Sequence, residues 1–264
     1  MNNHSSFDGA QAKWSTKGIW YKRDLRGGEA VAETLVSLFL ESCLNVTDFR
    51  AGKYGYVPYR LSPNDKRVCL SPNFLESGKT FVSLYEAMKL LKPKRSEYSD
   101  FEGKLNYIDS VYKEVVGHSC KNWLLMVLTL DVMFRNTDRH LSNLGFVSDR
   151  WGDLQVAPIF DTGMALGVSE GAYFDLANTI SGLRFRIKPY ELTVRYLEKY
   201  INPSYFAFSV DKFLKCFDRN VPKNNLLLAF LNILVRYYPK DVSGVDTQKK
   251  LEEYFGPFSS KRFI

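Results

Sequence analysis

The chain has 264 residues, of which 45% are hydrophobic, 15% aromatic and 25% charged, a balance that excludes general disorder and accommodates one large domain or two lobes. Its net charge of +7 comes from 36 Lys and Arg against 29 Asp and Glu, spread along the chain rather than gathered in a tail. That excess is compatible with an anionic ligand but selects none, and no direct nucleic-acid contact is expected from it.

Met1 to Gly9 is polar, unlike a secretory signal, and no apolar run reaches the roughly 20 residues that span a bilayer, so no membrane association is expected. Cys43, Cys69, Cys120 and Cys216 are far apart and form no C-x-x-C pair. Zinc and disulfides are therefore poorly supported, and reduced thiols in a cytoplasmic protein are the simpler expectation. Gly18 to Lys22, aromatic and β-branched, reads as a strand, and the pair Gly27-Gly28 breaks the chain after it. A helix is expected from Glu29 to Leu44, with Ala32, Leu35, Val36, Phe39 and Leu40 on one face. Gly55 to Leu61 and Arg67 to Leu70 read as two further strands around the turn signal Ser62 to Asp65.

Thr80 to Leu91 reads as a second amphipathic helix, ended by the stretch Lys92 to Ser96, and Ser71 to Lys94 is taken as the crossover to a mainly helical half. Helices are expected at Tyr107 to Val116, Lys121 to Phe134, Ile187 to Lys199, Asn224 to Tyr238 and Gln248 to Phe255. The strongest apolar stretch, Trp123 to Phe134, is interrupted by Asp131 and reads as a buried helix. Between the helices lies a polar region, Arg135 to Gly167. The fold class expected is α+β and two-lobed, with a small mixed lobe over residues 1–94 and a helical lobe over 95–264.

The chemistry concentrates in Asn136-Thr-Asp-Arg-His-Leu-Ser-Asn143, followed by Val156-Ala-Pro-Ile-Phe-Asp161-Thr-Gly163. Phosphoryl transfer from ATP needs a carboxylate to hold the acceptor hydroxyl, a carboxylate and an amide to hold magnesium, and a cation on the phosphates. An Asp with an Asn five residues on, then a second Asp after a short hairpin, supplies the first two, and magnesium suits oxygen ligands.

The pattern N-x-D-x-H-x-x-N followed by P-x-x-D resembles the catalytic and metal-binding segments of HipA-like serine/threonine kinases, with a more distant similarity to phosphatidylinositol kinases. Ser6-Phe-Asp-Gly-Ala-Gln-Ala-Lys13 resembles the S-x-x-G-A-Q-x-K phosphate loop of the same kinases. The resemblance runs from about Ser5 to Gly163 and leaves the last hundred residues supported only by helical character.

It implies a kinase-like fold, ATP and Mg2+ as cofactors, and roles residue by residue. Asp138 would orient or deprotonate the acceptor hydroxyl, and His140 would prop the catalytic loop. Asn143 and Asp161 would coordinate magnesium. Lys22 would contact the α- and β-phosphates and pair with Glu33, or else with Glu29. Gly9, Ala10 and Gln11 would turn backbone N–H groups to the phosphates. Adenine is expected against the backbone of Val68, Cys69 and Leu70.

Ser6 matches the position at which such kinases modify their own phosphate loop, so an inhibitory autophosphorylation at Ser6 or Ser5 is implied. The resemblance also admits the toxin of a toxin–antitoxin pair, acting on a protein substrate. Larger relatives carry a subdomain ahead of the phosphate loop, where this chain has only Met1 to His4. Either a small separate protein, an antitoxin or trans-acting subdomain, supplies it, or the chain works alone. Two other functions compete. A lipid or small-molecule kinase would want basic residues after Asp161, but Thr162 to Ala177 has no Lys or Arg. An inactive nucleotide-binding module has no chemical need for Lys22, Asp138, Asn143 and Asp161 together.

Overall fold

The computed structural model describes residues 11–48, 55–75, 78–91, 101–148, 151–170, 184–187, 190–193 and 201–258. Strands β1 (Lys13–Thr16), β2 (Ile19–Arg23), β3 (Arg60–Leu61) and β4 (Val68–Pro72) form an antiparallel sheet in the order β1-β2-β4-β3. Of the strand expected over Gly55 to Leu61, only Arg60–Leu61 pairs in this sheet. Tyr56 instead bridges Asp48 and Ile159, which ties this segment to the second half of the chain.

Helix α1 (Glu29–Ser42) lies against the sheet, and every residue except Glu41 is buried. The single apolar face expected from the sequence is thus too narrow a description. A helix apolar nearly all round belongs in a core. Phe39 shows why: its ring meets Phe134, Phe206, Phe208 and Tyr238, so α1 joins the sheet to the helices of the second half. Its polar residues are bonded in place, as where Ser37 Oγ accepts from the Tyr59 N–H at 2.8 Å.

The helix expected over Thr80 to Leu91 is in fact a strand and a shorter helix, β5 (Thr80–Ser83) and α2 (Leu84–Leu91). Thr80, Phe81 and Val82 are β-formers with a partner strand available. Ser83 then starts the helix through a capping box: its Oγ accepts from the Glu86 N–H at 3.1 Å, and its own N–H donates to Glu86 Oε2 at 2.9 Å. Strand β5 pairs with β6 (Gly145–Ser148), which pairs with β7 (Leu154–Val156), in an antiparallel three-stranded sheet.

Helices α3 (Phe101–Val116) and α4 (Lys121–Phe134) precede that hairpin, and α4 keeps the bounds read from the sequence. The helix expected at Ile187 to Lys199 is not formed in its described part. Arg184–Ile187 and Tyr190–Thr193 are a β-hairpin, β8 and β9, and residues 194–199 lie outside the described residues. The β-branched and aromatic positions flanking a two-residue break fit a hairpin better than a helix. Helix α5 (Val210–Cys216), not expected, starts on Ser209, whose side chain accepts from the Lys212 N–H. Helices α6 (Asn225–Tyr237) and α7 (Thr247–Phe255) follow, capped by Asn224 and Asp246. No helix among the described residues is long and apolar enough to cross a membrane.

Candidate active site

Strand alternation puts Lys22 on the face of β2 that meets α1, opposite Lys13 of β1 and Cys69 of β4. Its ammonium donates to Glu33 Oε1 at 2.8 Å and to Asp161 Oδ1 at 3.1 Å, and lies 4.9 Å from the centroid of the Tyr59 ring. Burial alone would push Lys22 down. The Asp161 and Glu33 carboxylates reverse that and hold its pKa well above lysine's ordinary value.

Glu33 is a junction. Oε1 accepts from Lys22 and also from the Thr162 N–H at 3.3 Å, while Oε2 accepts from the Cys69 thiol at 3.6 Å. Glu29, the other acid considered for Lys22, does something else. Its carboxylate accepts from the N–H groups of Leu25, Arg26 and Gly27, and Asp24 accepts from those of Gly28 and Ala30. Asp24 thus satisfies backbone donors at the start of α1, where carboxylates are favoured, and Glu29 those of the loop that leads into it.

Asp161 follows β7 through Val156 to Phe160 and has a left-handed backbone, φ 59°. Its neighbours hold it there: Arg139 Nη1 donates to Phe160 O at 2.8 Å on one side, and the Thr162 N–H is on Glu33 on the other. Burial would raise the Asp161 carboxyl, but Lys22, with Lys13 and Arg139 beside it, holds it well below the usual carboxylate range. The segment after Asp161 packs against α1, where a Cβ on Gly163 would sit at ordinary contact distance, 3.4 Å from Glu29 Cβ and 3.5 Å from Glu33 Oε2.

Asp138 is exposed, and partial enclosure followed by the Asp161 charge pushes its pKa up, against His140. The His140 carbonyl accepts from the Asn143 N–H at 2.9 Å and closes the single 3₁₀ turn Leu141–Asn143, and Asn143 Nδ2 reaches Asp138 O at 3.4 Å. Asn143 is 6% exposed, with Nδ2 turned to the loop.

The structure therefore brings Lys22, Glu33 and Asp161 into contact and sets Asp138, His140 and Asn143 beside them. Cys69, expected near the adenine, lies on the central strand β4. It is buried, its thiol is pushed far up by burial and by Glu33, and β4 is bonded to β2 on one side and β3 on the other. The peptide groups of residues 68–70 are thus engaged in the sheet. Ser6, Gly9 and Ala10 lie outside the described residues, and Gln11 is the first of those described.

Sequence reasoning gave no role to Asp131, Asn136 or Arg139, although Asn136 and Arg139 lie within the segment it singled out. Arg139 and Asp131 are fully buried and paired twice, Nε to Oδ2 at 2.8 Å and Nη2 to Oδ1 at 3.0 Å. An acid interrupting the apolar run of α4 was the available signal. Such a residue stays in a core only with a partner.

An oxygen-only pair, the Asn143 side-chain carbonyl and Asp161, fits magnesium, which takes few protein ligands and fills its shell with water and phosphate. No cluster of three or more His, Cys, Asp or Glu suited to a metal occurs among the described residues, so a closed protein cage is not formed there.

An antiparallel sheet carrying a lysine paired to a helix glutamate, joined to a helical half by a loop–hairpin–aspartate segment, defines a kinase-like fold. The Helicobacter pylori proinflammatory kinase CtkA is similar in structure, with a TM-score of 0.61 and 15% sequence identity over 95% of each chain. At that identity the likeness is one of fold. No protein-family model and no curated protein matches the sequence.

Proposed function

We propose that the chain is an ATP-dependent serine/threonine protein kinase of the HipA-like type. The observation that carries this reading is Lys22 Nζ held between Glu33 and Asp161, with Asp138 and Asn143 on the adjoining loop. A cation fixed by two acids at the mouth of a sheet is poised to take the α- and β-phosphates. Asn143 and Asp161 would hold magnesium, which when bound neutralises the charge on the transferring phosphoryl group. Asp138, solvent-facing and with a raised pKa, would orient the acceptor hydroxyl and take its proton, while His140 props the turn between Asp138 and Asn143.

The lobes would be residues 1–94 and 95–264, with nucleotide between them and Gly9, Ala10 and Gln11 over the phosphates. Phosphate added at Ser6, or Ser5, would carry about two negative charges, repel ATP and turn the enzyme off. A protein substrate, and a small antitoxin or trans-acting subdomain, complete the reading, in the cytoplasm. The absence of Lys and Arg from Thr162 to Ala177 favours a protein acceptor over an anionic lipid headgroup.

Phosphoryl transfer from γ-labelled ATP tests this directly, on the chain itself and on a cell extract. Asp138→Asn should lower turnover about 10²- to 10⁴-fold with nucleotide affinity retained. A wild-type chain that binds nucleotide and transfers nothing would support an inactive binding module instead. Added mass on the Ser5–Ser6 peptide after incubation with Mg-ATP tests the switch.

A further inference from the structure

One buried network near the proposed site has no role in the reading above. Asp131 sits near the end of α4 with no solvent exposure. Its Oδ1 accepts from Asn136 Nδ2 at 2.8 Å and from Arg139 Nη2 at 3.0 Å, and its Oδ2 accepts from Arg139 Nε at 2.8 Å. The remaining nitrogen, Arg139 Nη1, donates to Phe160 O at 2.8 Å and to Asn143 O at 3.3 Å.

We propose that the Asp131–Arg139 pair, clamped by Asn136, is a positioning device that sets the spacing between the two metal-ligand candidates, Asn143 and Asp161. The inference rests on the kinase reading for the metal, and on the geometry for the device.

The guanidinium touches the backbone at both places that matter. One carbonyl belongs to Asn143 itself and the other to the residue just before Asp161. The fork that reaches them is fixed at its other edge by a carboxylate on a rigid helix. A lysine, as a point charge, cannot hold four acceptors in one plane.

Stability alone is a weak reason for such a pair, because two fully buried charges lose most of their attraction to desolvation. Geometry is a better one. Arg139 lies between Asp138 and His140, so pinning its side chain in the interior also fixes the turn that presents those two. Asp161 has its left-handed backbone because Arg139 holds the carbonyl before it and Glu33 the N–H after it. Partners behind metal ligands typically change metal affinity about 10- to 100-fold when removed.

The test measures Mn2+ binding by electron paramagnetic resonance in the presence of a non-hydrolysable ATP analogue, beside nucleotide affinity in EDTA and thermal unfolding. Arg139→Lys and Asp131→Asn should each weaken Mn2+ binding about tenfold or more, with metal-free nucleotide affinity retained. Asn136→Ala leaves the ion pair in place and should give a smaller loss in the same direction, which keeps the test available if the other two fail to fold. Folded variants that bind Mn2+ as wild type does, Asn136→Ala included, overturn the proposal, and so does a wild-type chain that binds no Mn2+. A wild type that binds Mn2+ but transfers no phosphate sinks the kinase reading and leaves this inference standing.

Discussion

The Lys22 ammonium donates to Asp161 Oδ1 at 3.1 Å, joining β2 to a residue 139 positions later, while Glu33 holds the same nitrogen at 2.8 Å from α1. Three elements thus meet on one cation. Lys22 is the counter-ion of Asp161. On the proposed function, magnesium and phosphate at this place would compete for both partners, so binding and the ion pair would be coupled.

Lys22→Met should reduce kcat/KM for ATP about 10²- to 10³-fold, the usual loss when a preorganised charge contact is removed. Glu33→Gln keeps an acceptor for the Thr162 N–H but loses the charge that fixes Lys22, and should have the smaller effect. Steady-state kinetics at varied ATP checks the order. A Lys22→Met enzyme as active as wild type would remove Lys22 from the phosphate site.

The same pair predicts how stability depends on pH. Asp161 has a folded pKa below its unfolded value of about 4, so its contribution is present above that pH and is lost as pH falls from there toward the folded value. Lys22 has a folded pKa above its unfolded value of about 10.4, so its contribution is complete below that pH and is lost as pH rises through the folded value. Urea unfolding at a series of pH values should show Lys22→Met with a shallower fall than wild type at both ends and a near-constant difference between them.

Asp138 moves the other way. Its pKa is raised by partial desolvation and by Asp161, so the acid limb of the kcat/KM profile should lie above the ordinary carboxylate value of about 4. A limb at or below that value would argue that another group takes the proton.

Gly145→Ala should destabilise the protein by about 3 kcal/mol, because a Cβ there would strike the Val82 carbonyl oxygen and come within 2.9 Å of Ser83 Cα. Both neighbours are backbone of β5 and cannot swing away. The three-stranded sheet should loosen first, seen as faster amide exchange over Thr80 to Ser83.

Ser83→Ala removes the capping box of α2 and should cost about 1 kcal/mol. Thermal unfolding against wild type measures it, and Ser83→Thr should recover most of the loss.

The candidate site was proposed from the sequence because phosphoryl transfer, if it is the reaction, restricts which residues can serve it. Asp138, Asn143 and Asp161 stand out by type and spacing, while Lys22 and Glu33 were expected from the resemblance to HipA-like kinases, and the structure adds that Lys22 is bonded to Glu33 and Asp161. The central place of β4, which carries Cys69, was not legible because sequence order does not say which strand ends up central in a sheet. Thr80 to Ser83 was misread because an amphipathic pattern of four residues fits a strand as well as the first turn of a helix, and the pairing partner comes sixty residues later.

By itself the sequence determined an α+β chain with α4 and the last two helices close to their bounds, and a set of acids, an amide and a lysine suited to magnesium and phosphate. Local periodicity and side-chain chemistry are enough for that. Tertiary structure alone decided that Lys22 takes Glu33 and not Glu29, that Asp24 closes the start of α1 and Glu29 the loop that leads into it, and that Arg139 faces inward to hold the carbonyls beside Asn143 and Asp161. Those outcomes depend on which groups are removed from water together, and a buried charge finds its partner by distance in space, which residue order does not record.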